Sequence, residues 1–459
     1  MDINLDKINK IYFVGIGGIG ISAVAGIAHI RHFLVEGSDA AEGEIVSDLR
    51  EHGITVHVPH DASHINEKIS LVVRSVAVPD NNPEIVRALG LDIPVITYPQ
   101  FLGLLLEKKF GIGVSGTDGK TTTTAMIAKL MIDGEKDPTV VLGAKADFLS
   151  DNWRVGESEY LVFESDEYRR AFANYHPRIA VITNVNLDHL DYYKDEADYV
   201  SAFVDYVKGM PEDGLLIVNA EDENCQHVAE NFAGRVASFS LSGGADYTAT
   251  NIRVEDQKQL FELWRDGELL EEFELPLPGK HNVADAVAAI IVALEIGVNL
   301  DVCRQSLAEF KGVWRRFERL GKCGKAEVIA DYAHTPDAVG RNISAAREFY
   351  REGKILVVFQ PHQYNRTKNF FDEFTASFVG SDKVIIPDIY FVEGRENPAD
   401  FDVSGEKLAE AIAERGIDAI YGGNLQETEN KIRELAEDFD LILILGAGDV
   451  YGVAKNLVR

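Results

Sequence analysis

Cysteine is scarce in this chain of 459 residues: Cys225, Cys303 and Cys323 lie far apart and show no C-x-x-C spacing. That excludes a disulfide framework and a thiolate zinc site. Long apolar runs are missing too. Leu441–Leu445 is among the longest, and it is strand-sized, far short of the ~20 residues that span a bilayer. The opening stretch, MDINLDKINKIYFVG, has no basic segment leading into an apolar one, so no secretory signal is read there. These absences predict a cytoplasmic protein with no membrane partner. Basic charge is short as well. Against 75 Asp+Glu there are 45 Lys+Arg, a formal charge of −30. Such a surface repels polyphosphates and excludes nucleic acid as a partner. It leaves room for a small phosphate ligand held by local backbone donors. The acidic excess itself reads as colloidal solubility, with a salty habitat as the alternative.

What is present is a near-continuous alternation of strand-like and helix-like segments, the pattern of an α/β protein. The length predicts about three domains. The first, residues 1–99, runs from a short strand at Ile11–Val14 through an apolar helix at about Ile21–His29. It goes on to strands at Leu71–Val73 and Val95–Thr97. The second, residues 100–314, starts at Phe110–Ser115 and continues with a helix through Thr121–Met131 and strands at Tyr160–Phe163 and Ile179–Thr183. It also holds a hairpin-like stretch, Tyr247–Glu274, turning at Asp266-Gly267, and an Ala-rich helix, His281–Ile296. The third, residues 315–459, carries strands at Val328–Ala330, Ile355–Phe359, Lys383–Pro387 and Leu441–Leu445. No internal repeat or low-complexity segment interrupts this order.

The sharpest local signal is Gly116-Thr117-Asp118-Gly119-Lys120-Thr121-Thr122, between an apolar strand and a helix. Backbone N–H groups of such a loop surround phosphate oxygens, and the helix N-terminus adds a favourable dipole. Lys120 would offset β/γ-phosphate charge, and Thr121 would place a hydroxyl on Mg²⁺. The strict phosphate-loop pattern fails at its first glycine, where Val114 stands; the plainer alternative is a Gly-rich turn capped by threonines. A second glycine run, Gly15, Gly17, Gly18 and Gly20, matches G-x-G-x-x-G after a strand and before a helix, and Asp39 ends the next strand. Three readings stay open for it: a dinucleotide site of an NAD-dependent dehydrogenase, close helix–strand packing, or the diphosphate of another nucleotide. Glu164-Ser165-Asp166-Glu167 and Asn184–His189 each follow a strand. Hard oxygen ligands and an imidazole at strand ends suit Mg²⁺, while a solvated acidic turn and a structural histidine are the alternatives. In the third domain, Asp331–Pro336 and Gln360–Thr367 follow strands, at the carboxyl edge where open α/β sheets bind ligands. Arg366 suits a carboxylate. No Ser or Cys nucleophile stands out.

Taken in order, GIGGIG, GTDGKTTTT, ESDE, TNVNLDHLD, PGKHN, RRFE, DYAHTPD and FQPHQYNRT resemble the Mur ligases of peptidoglycan synthesis over essentially the whole chain. The resemblance implies an N-terminal Rossmann-like nucleotide-sugar domain, a central P-loop ATPase-type α/β domain and a C-terminal Rossmann-like α/β domain. The activity it implies is ATP-dependent amide ligation of an amino acid to the carboxylate of UDP-N-acetylmuramate through an acyl phosphate. L-alanine is the expected amino acid. The alternatives are another amino acid, a recycled peptide, or a degenerate relative that only binds the nucleotide-sugar. Gly15, Gly17, Gly18, Gly20, Asp39, His60 and Ser75 match UDP-sugar positions. Gly116–Thr122, Asn282, Arg316 and Asp331 match ATP positions. Thr121, Glu164 and His189 match metal ligands, with Lys120, Glu164 and His189 as the catalytic set. Tyr332, His334 and Arg366 match the amino-acid site. ATP and Mg²⁺ are the implied cofactors, and a monomer or homodimer is the implied state.

Three positions depart from the family pattern. Asp118 replaces a usual His and puts an anion beside the triphosphate. Asp285 replaces a usual Asn. Gln363 replaces a usual Arg, leaving Arg366 to meet an amino-acid carboxylate. No lysine lies between Lys194 and Lys208, in keeping with the alanine-adding branch.

Overall fold

The computed structural model describes all residues except 1–2, 150, 191, 392–395 and 397. Each sheet of the α/β chain forms where the sequence places short β-branched runs. Five parallel strands stand in the order Thr55–His57, Leu34–Ser38, Lys10–Val14, Leu71–Arg74, Val95–Thr97. Because the order reverses beside Lys10–Val14, a crevice opens there at the carboxyl ends of the strands, the ligand position of such sheets. A second sheet contains, in order, Arg235–Ser240, Leu215–Asn219, Ile179–Ile182, Phe110–Ser115, Tyr160–Glu164, Thr139–Val141 and Trp153–Arg154. All its neighbours in that run are parallel except the last pair. The third sheet runs Glu318–Cys323, Ala326–Asp331, Leu441–Leu445, Ile355–Phe359, Lys383–Pro387, Ala419–Gly423, antiparallel only at its first pair.

The residues gather into two compact units. One takes the chain up to Thr250 with Leu263–Glu271 and Ala284–Ser306; the other takes Asn251–Glu262, Glu272–Val283 and Leu307–Arg459. The first unit holds the first two sheets on one continuous core, in which Phe13 and Phe101 meet Phe163, Tyr199 and Phe203. Gly26 lets the Ile19–Ile30 helix approach the Trp153 ring, since a side chain there would collide with the indole. The domain boundary read at residue 99 falls inside the helix Tyr98–Leu106. Thr97 caps that helix with Gln100 in a capping box, and Pro99 sits in its first turn, where a missing N–H costs nothing. The second unit packs Ile329, Val357, Leu443 and Phe374 on one face of the third sheet and Val328, Val358, Ile442 and Ile444 on the other. Two-sided burial of this kind explains why those strands read as continuous apolar runs.

The stretch read as one hairpin is three strands, Tyr247–Glu255, Lys258–Arg265 and Glu268–Leu275. The Asp266-Gly267 turn is present. A second turn forms at Asp256-Gln257, both with positive φ. No described helix is long and apolar enough to cross a membrane.

Candidate functional site

The first unit carries the phosphate loop. Phe110–Ser115 delivers it and Lys120–Asp133 leaves it as a helix. Gly119 caps that helix with φ 84°, and a Cβ there would lie 2.6 Å from Asp285 Oδ1. Only glycine takes this position without strain. The loop is braced by the segment just after the strand Ile179–Ile182. Asp118 N donates to Asn184 Oδ1 at 3.0 Å, Asn184 Nδ2 donates back to the Asp118 carbonyl at 3.0 Å, and Thr117 Oγ1 donates to the Asn186 carbonyl at 2.6 Å. The loop backbone is thus braced by its neighbouring segment, and its glycines and the helix N-terminus give it the form of a phosphate cradle.

Lys120 folds back over its own loop. Its ammonium donates to the Gly116 and Thr117 carbonyls and to Glu167 Oε1 at 3.0 Å, with Oε2 at 2.9 Å. Burial works against the ammonium, yet Glu167, Asp166 and Glu164 raise its pKa overall. Glu167 is buried as well; burial opposes its charge, and Lys120 and His189 hold its pKa below the usual range. Burial and Glu167 push Asp166 up. His189 Nε2 lies 3.5 Å from Glu167 Oε1, and burial of the ring is outweighed by Glu167 and Asp188, so its pKa is raised. His189 adopts φ 55°, a left-handed conformation unusual for its residue type.

Among the described residues one group has metal-ligand geometry: Asp166, Glu167 and His189, with one donor atom from each mutually within 4.8 Å. Two carboxylates and an imidazole suit a hard divalent cation. Glu164, by contrast, accepts from Thr121 Oγ1 at 3.0 Å and from the Gly143 amide. The structure therefore brings Lys120 and His189 together through Glu167, and Thr121 together with Glu164. Asp166 and Glu167 are missing from the sequence-based site, although both stand in the same acidic run. Asp285, also in this unit, is buried with its pKa well above the usual carboxylate range; burial is the main cause and Asp118 adds to it.

The glycine run of the first sheet forms a turn closed by Gly15 N to the Ser38 carbonyl at 2.8 Å and by Gly17 N to Asp39 Oδ2 at 2.8 Å. Gly15 has φ 77°, with Ser75 and Val78 against it, and Gly20 packs on the Tyr98 ring. Gly18 caps the Ile19–Ile30 helix. His60 Nδ1 meets Ser38 Oγ at 2.8 Å. All the UDP-sugar positions read from the sequence thus fall at one sheet edge.

The second unit gathers the remaining residues. Asp331 ends its strand, is buried, and accepts from the Phe317 and Ala333 amides at 2.8 Å each and from Asn342 Nδ2 at 3.2 Å. Burial raises its pKa despite Arg316 and these donors. Arg315 and Arg316 lie over the Tyr332 ring at 4.9 and 5.3 Å. His334 Nδ1 is 3.0 Å from the Tyr332 carbonyl, the His334 and His362 rings are 6.3 Å apart, and Arg366 Nη1 is 3.4 Å from His362 Nδ1. Tyr332, His334 and Arg366 therefore share one edge with His362, which the sequence-based site left out. Gln363 has φ 70° just before the helix Tyr364–Asn369 that carries Arg366. Asn282 donates to the Pro278 carbonyl at 2.7 Å and lies 3.2 Å from His281 Nε2.

A glycine loop of phosphate-cradle form with a half-buried lysine folded over it, two carboxylates and an imidazole gathered beside that lysine, and open α/β sheets with crowded carboxyl edges are the features of a nucleotide-using α/β enzyme. Comparison with known proteins narrows the class. Family models described as Mur ligase family, catalytic domain, Mur ligase middle domain, and Mur ligase, glutamate ligase domain match residues 10–110, 114–293 and 315–448. The chain is 37% identical over 456 residues to UDP-N-acetylmuramate–L-alanine ligase of Clostridium acetobutylicum, covering 99% of this chain and 98% of the relative. To the ligase of the same name from Desulfitobacterium hafniense it is 39% identical, covering 98% and 99%. The crystal structure of a UDP-N-acetylmuramate–alanine ligase from Thermotoga maritima superposes with TM-score 0.85 at 34% identity, covering 98% of both chains. This chain belongs to the Mur ligase family, has its three-domain architecture and is an ATP-dependent amide-bond-forming ligase.

Proposed function

We propose that this protein joins L-alanine to the carboxylate of UDP-N-acetylmuramate, in the cytoplasm, as a monomer or homodimer. The observation that carries the reading is the Lys120–Glu167–His189 cluster under the phosphate loop, on a chain similar from end to end to relatives of that name. Residues 1–99 bind the UDP-sugar through Gly15, Gly17, Gly18, Gly20, Asp39, His60 and Ser75. Residues 100–314 bind the phosphates of ATP through Gly116–Thr122. Tyr332, His334 and Arg366 receive the amino acid.

A carboxylate is a poor electrophile, so the γ-phosphoryl group of ATP first passes to it, giving an acyl phosphate and ADP. The neutral amine then attacks the acyl carbon, and the tetrahedral adduct loses the nitrogen's proton and collapses to the amide, releasing phosphate. Catalysis of phosphoryl transfer is mostly positioning and charge neutralisation. Lys120 supplies a fixed positive charge, kept protonated by Glu167. Asp166, Glu167 and His189 have the donor chemistry to hold Mg²⁺, and Thr121 with Glu164 offers a further oxygen pair beside the loop. Bound Mg²⁺ would neutralise the phosphate oxygens. Arg366, near His362, pairs in this reading with the carboxylate of the incoming amino acid. No enzyme nucleophile is required.

The test is phosphate release with ATP, UDP-N-acetylmuramate and each standard amino acid in turn. Turnover with alanine is expected. Absence of turnover with alanine, serine and glycine overturns the reading, and turnover with a different amino acid or a peptide moves it to that substrate.

A further inference from the structure

At the carboxyl edge of the first sheet lies a buried acid that the reaction scheme does not use. Glu84, in the first turn of the helix Pro83–Gly90, has no exposed surface. Five donors converge on its carboxylate. Oε1 accepts from Tyr12 OH at 2.9 Å, His64 Nδ1 at 2.9 Å and Asp61 N at 3.3 Å; Oε2 accepts from Ser38 Oγ and from His60 Nδ1 at 3.1 Å. A carboxylate has no proton to give, so both imidazoles meet it with Nδ1–H. Ser38 fits the same arrangement: its one proton goes to Glu84, and its oxygen, 2.8 Å from His60 Nδ1, shares that ring's single Nδ1–H with Glu84 Oε2 in a bifurcated bond.

The consequence concerns the other nitrogen of each ring. In a neutral imidazole, Nδ1–H leaves Nε2 as a bare acceptor. Neither Nε2 makes a hydrogen bond among the described residues, and the His60 and His64 side chains keep 17% and 20% of their surface. The His64 ring is fixed further by stacking on His57, at 4.3 Å between centroids. His60 hangs from Ser38, whose carbonyl closes the glycine turn through Gly15 N and Ile16 N. The two rings therefore present acceptors at the edge where the glycine turn sits.

We propose that Glu84 is a positioning residue of the nucleotide-sugar pocket: it locks His60 and His64 as Nδ1–H tautomers, so that this wall accepts hydrogen bonds from ligand N–H and O–H groups. The proposal rests on the UDP-sugar reading of this edge. The matching ligand groups are the base imide N–H and the ribose or sugar hydroxyls. The diphosphate, which carries no donor when ionised, is left to the backbone N–H groups of the glycine turn. Carboxylate partners of this kind fix ring tautomer and orientation elsewhere in proteins.

Two measurements test it. Long-range ¹H–¹⁵N NMR of the full chain should show His60 and His64 with the proton on Nδ1. Proton placement on Nε2 in either ring overturns the proposal without any variant. Steady-state kinetics of Glu84→Gln should raise the KM for UDP-N-acetylmuramate about tenfold or more, the range for loss of such a partner. kcat and the KM for ATP should stay within about twofold, since the substitution keeps the side chain's shape and the ATP site is elsewhere. An unchanged KM for the UDP-sugar, or an equal loss in every parameter, overturns the proposal. Wild-type protein that shows no turnover with UDP-N-acetylmuramate overturns the underlying reading instead, with the tautomer result standing apart from it.

Discussion

At the scale of single residues, the acids under the phosphate loop set the chemistry. Asp285 sits against Gly119 with Asp118 nearby, and burial drives its pKa well above the ordinary carboxylate range. The folded state thus prefers the neutral acid, whereas the unfolded chain ionises it at an ordinary carboxylate pKa. A raised folded pKa gives stability that is fully present below the unfolded pKa and is lost as pH climbs toward the folded value. Asp285→Asn keeps the shape and removes this titration. The variant and the wild type should unfold alike near pH 4. The variant should gain on the wild type as pH rises from there, by up to about 1.4 kcal/mol per pH unit. Denaturant unfolding at several pH values reads this directly; parallel pH profiles for the two proteins would contradict it.

At the scale of elements, the strand ends and the glycine turns were legible in the sequence, and the turn without glycine was not. Val95–Thr97 and Phe110–Ser115 form as read, and Tyr160–Phe163 is one residue longer, because β-branched runs bounded by Gly, Pro and charge signal buried strands. The turn at Asp256-Gln257 escaped notice because neither residue is a glycine, although both take positive φ. The short strands Thr139–Val141 and Trp153–Arg154 carry too little periodicity to be read. The same limit applies to the metal group. The sequence offers Glu164, Asp166 and Glu167 as near-equals, and only the chain's return through positive φ at Arg169 and Arg170 accompanies the burial of Glu167 against Lys120. Which acid faces the lysine is a tertiary fact. It predicts a split: Glu167→Gln should raise the Mg²⁺ concentration for half-maximal turnover about tenfold or more and cut kcat about a hundredfold. Glu164→Gln should move the Mg²⁺ requirement less. Both should leave UDP-sugar affinity unchanged, because that site is built on another sheet. Equilibrium binding and Mg²⁺ titrations of turnover check each arm, and a larger Mg²⁺ effect in the Glu164 variant would reverse the assignment.

At the scale of the whole molecule, the formal charge of −30 sets a problem that the local sites must solve. Both nucleotide substrates of the proposed reaction, UDP-sugar and ATP, are anions approaching an acidic protein. The attractive donors are short-ranged: two glycine turns, one half-buried lysine, and arginines tied to aromatic rings and a histidine. The repulsive field is long-ranged, and salt removes long-range fields first. The screening length falls from about 30 Å at 0.01 M to about 8 Å at 0.15 M ionic strength. Phosphate contacts at about 3 Å are barely touched by that change. Raising ionic strength over this range, at fixed free Mg²⁺, should therefore lower the KM for ATP and for UDP-N-acetylmuramate, by about two- to fivefold. kcat should change little, since the charges that act on the reacting groups sit in contact with them around the buried Glu167. The sign is the discriminating part. A basic channel steering these anions inward would make both KM values rise with salt. A fall would show that −30 is a cost the glycine turns, Lys120 and the divalent cation overcome locally.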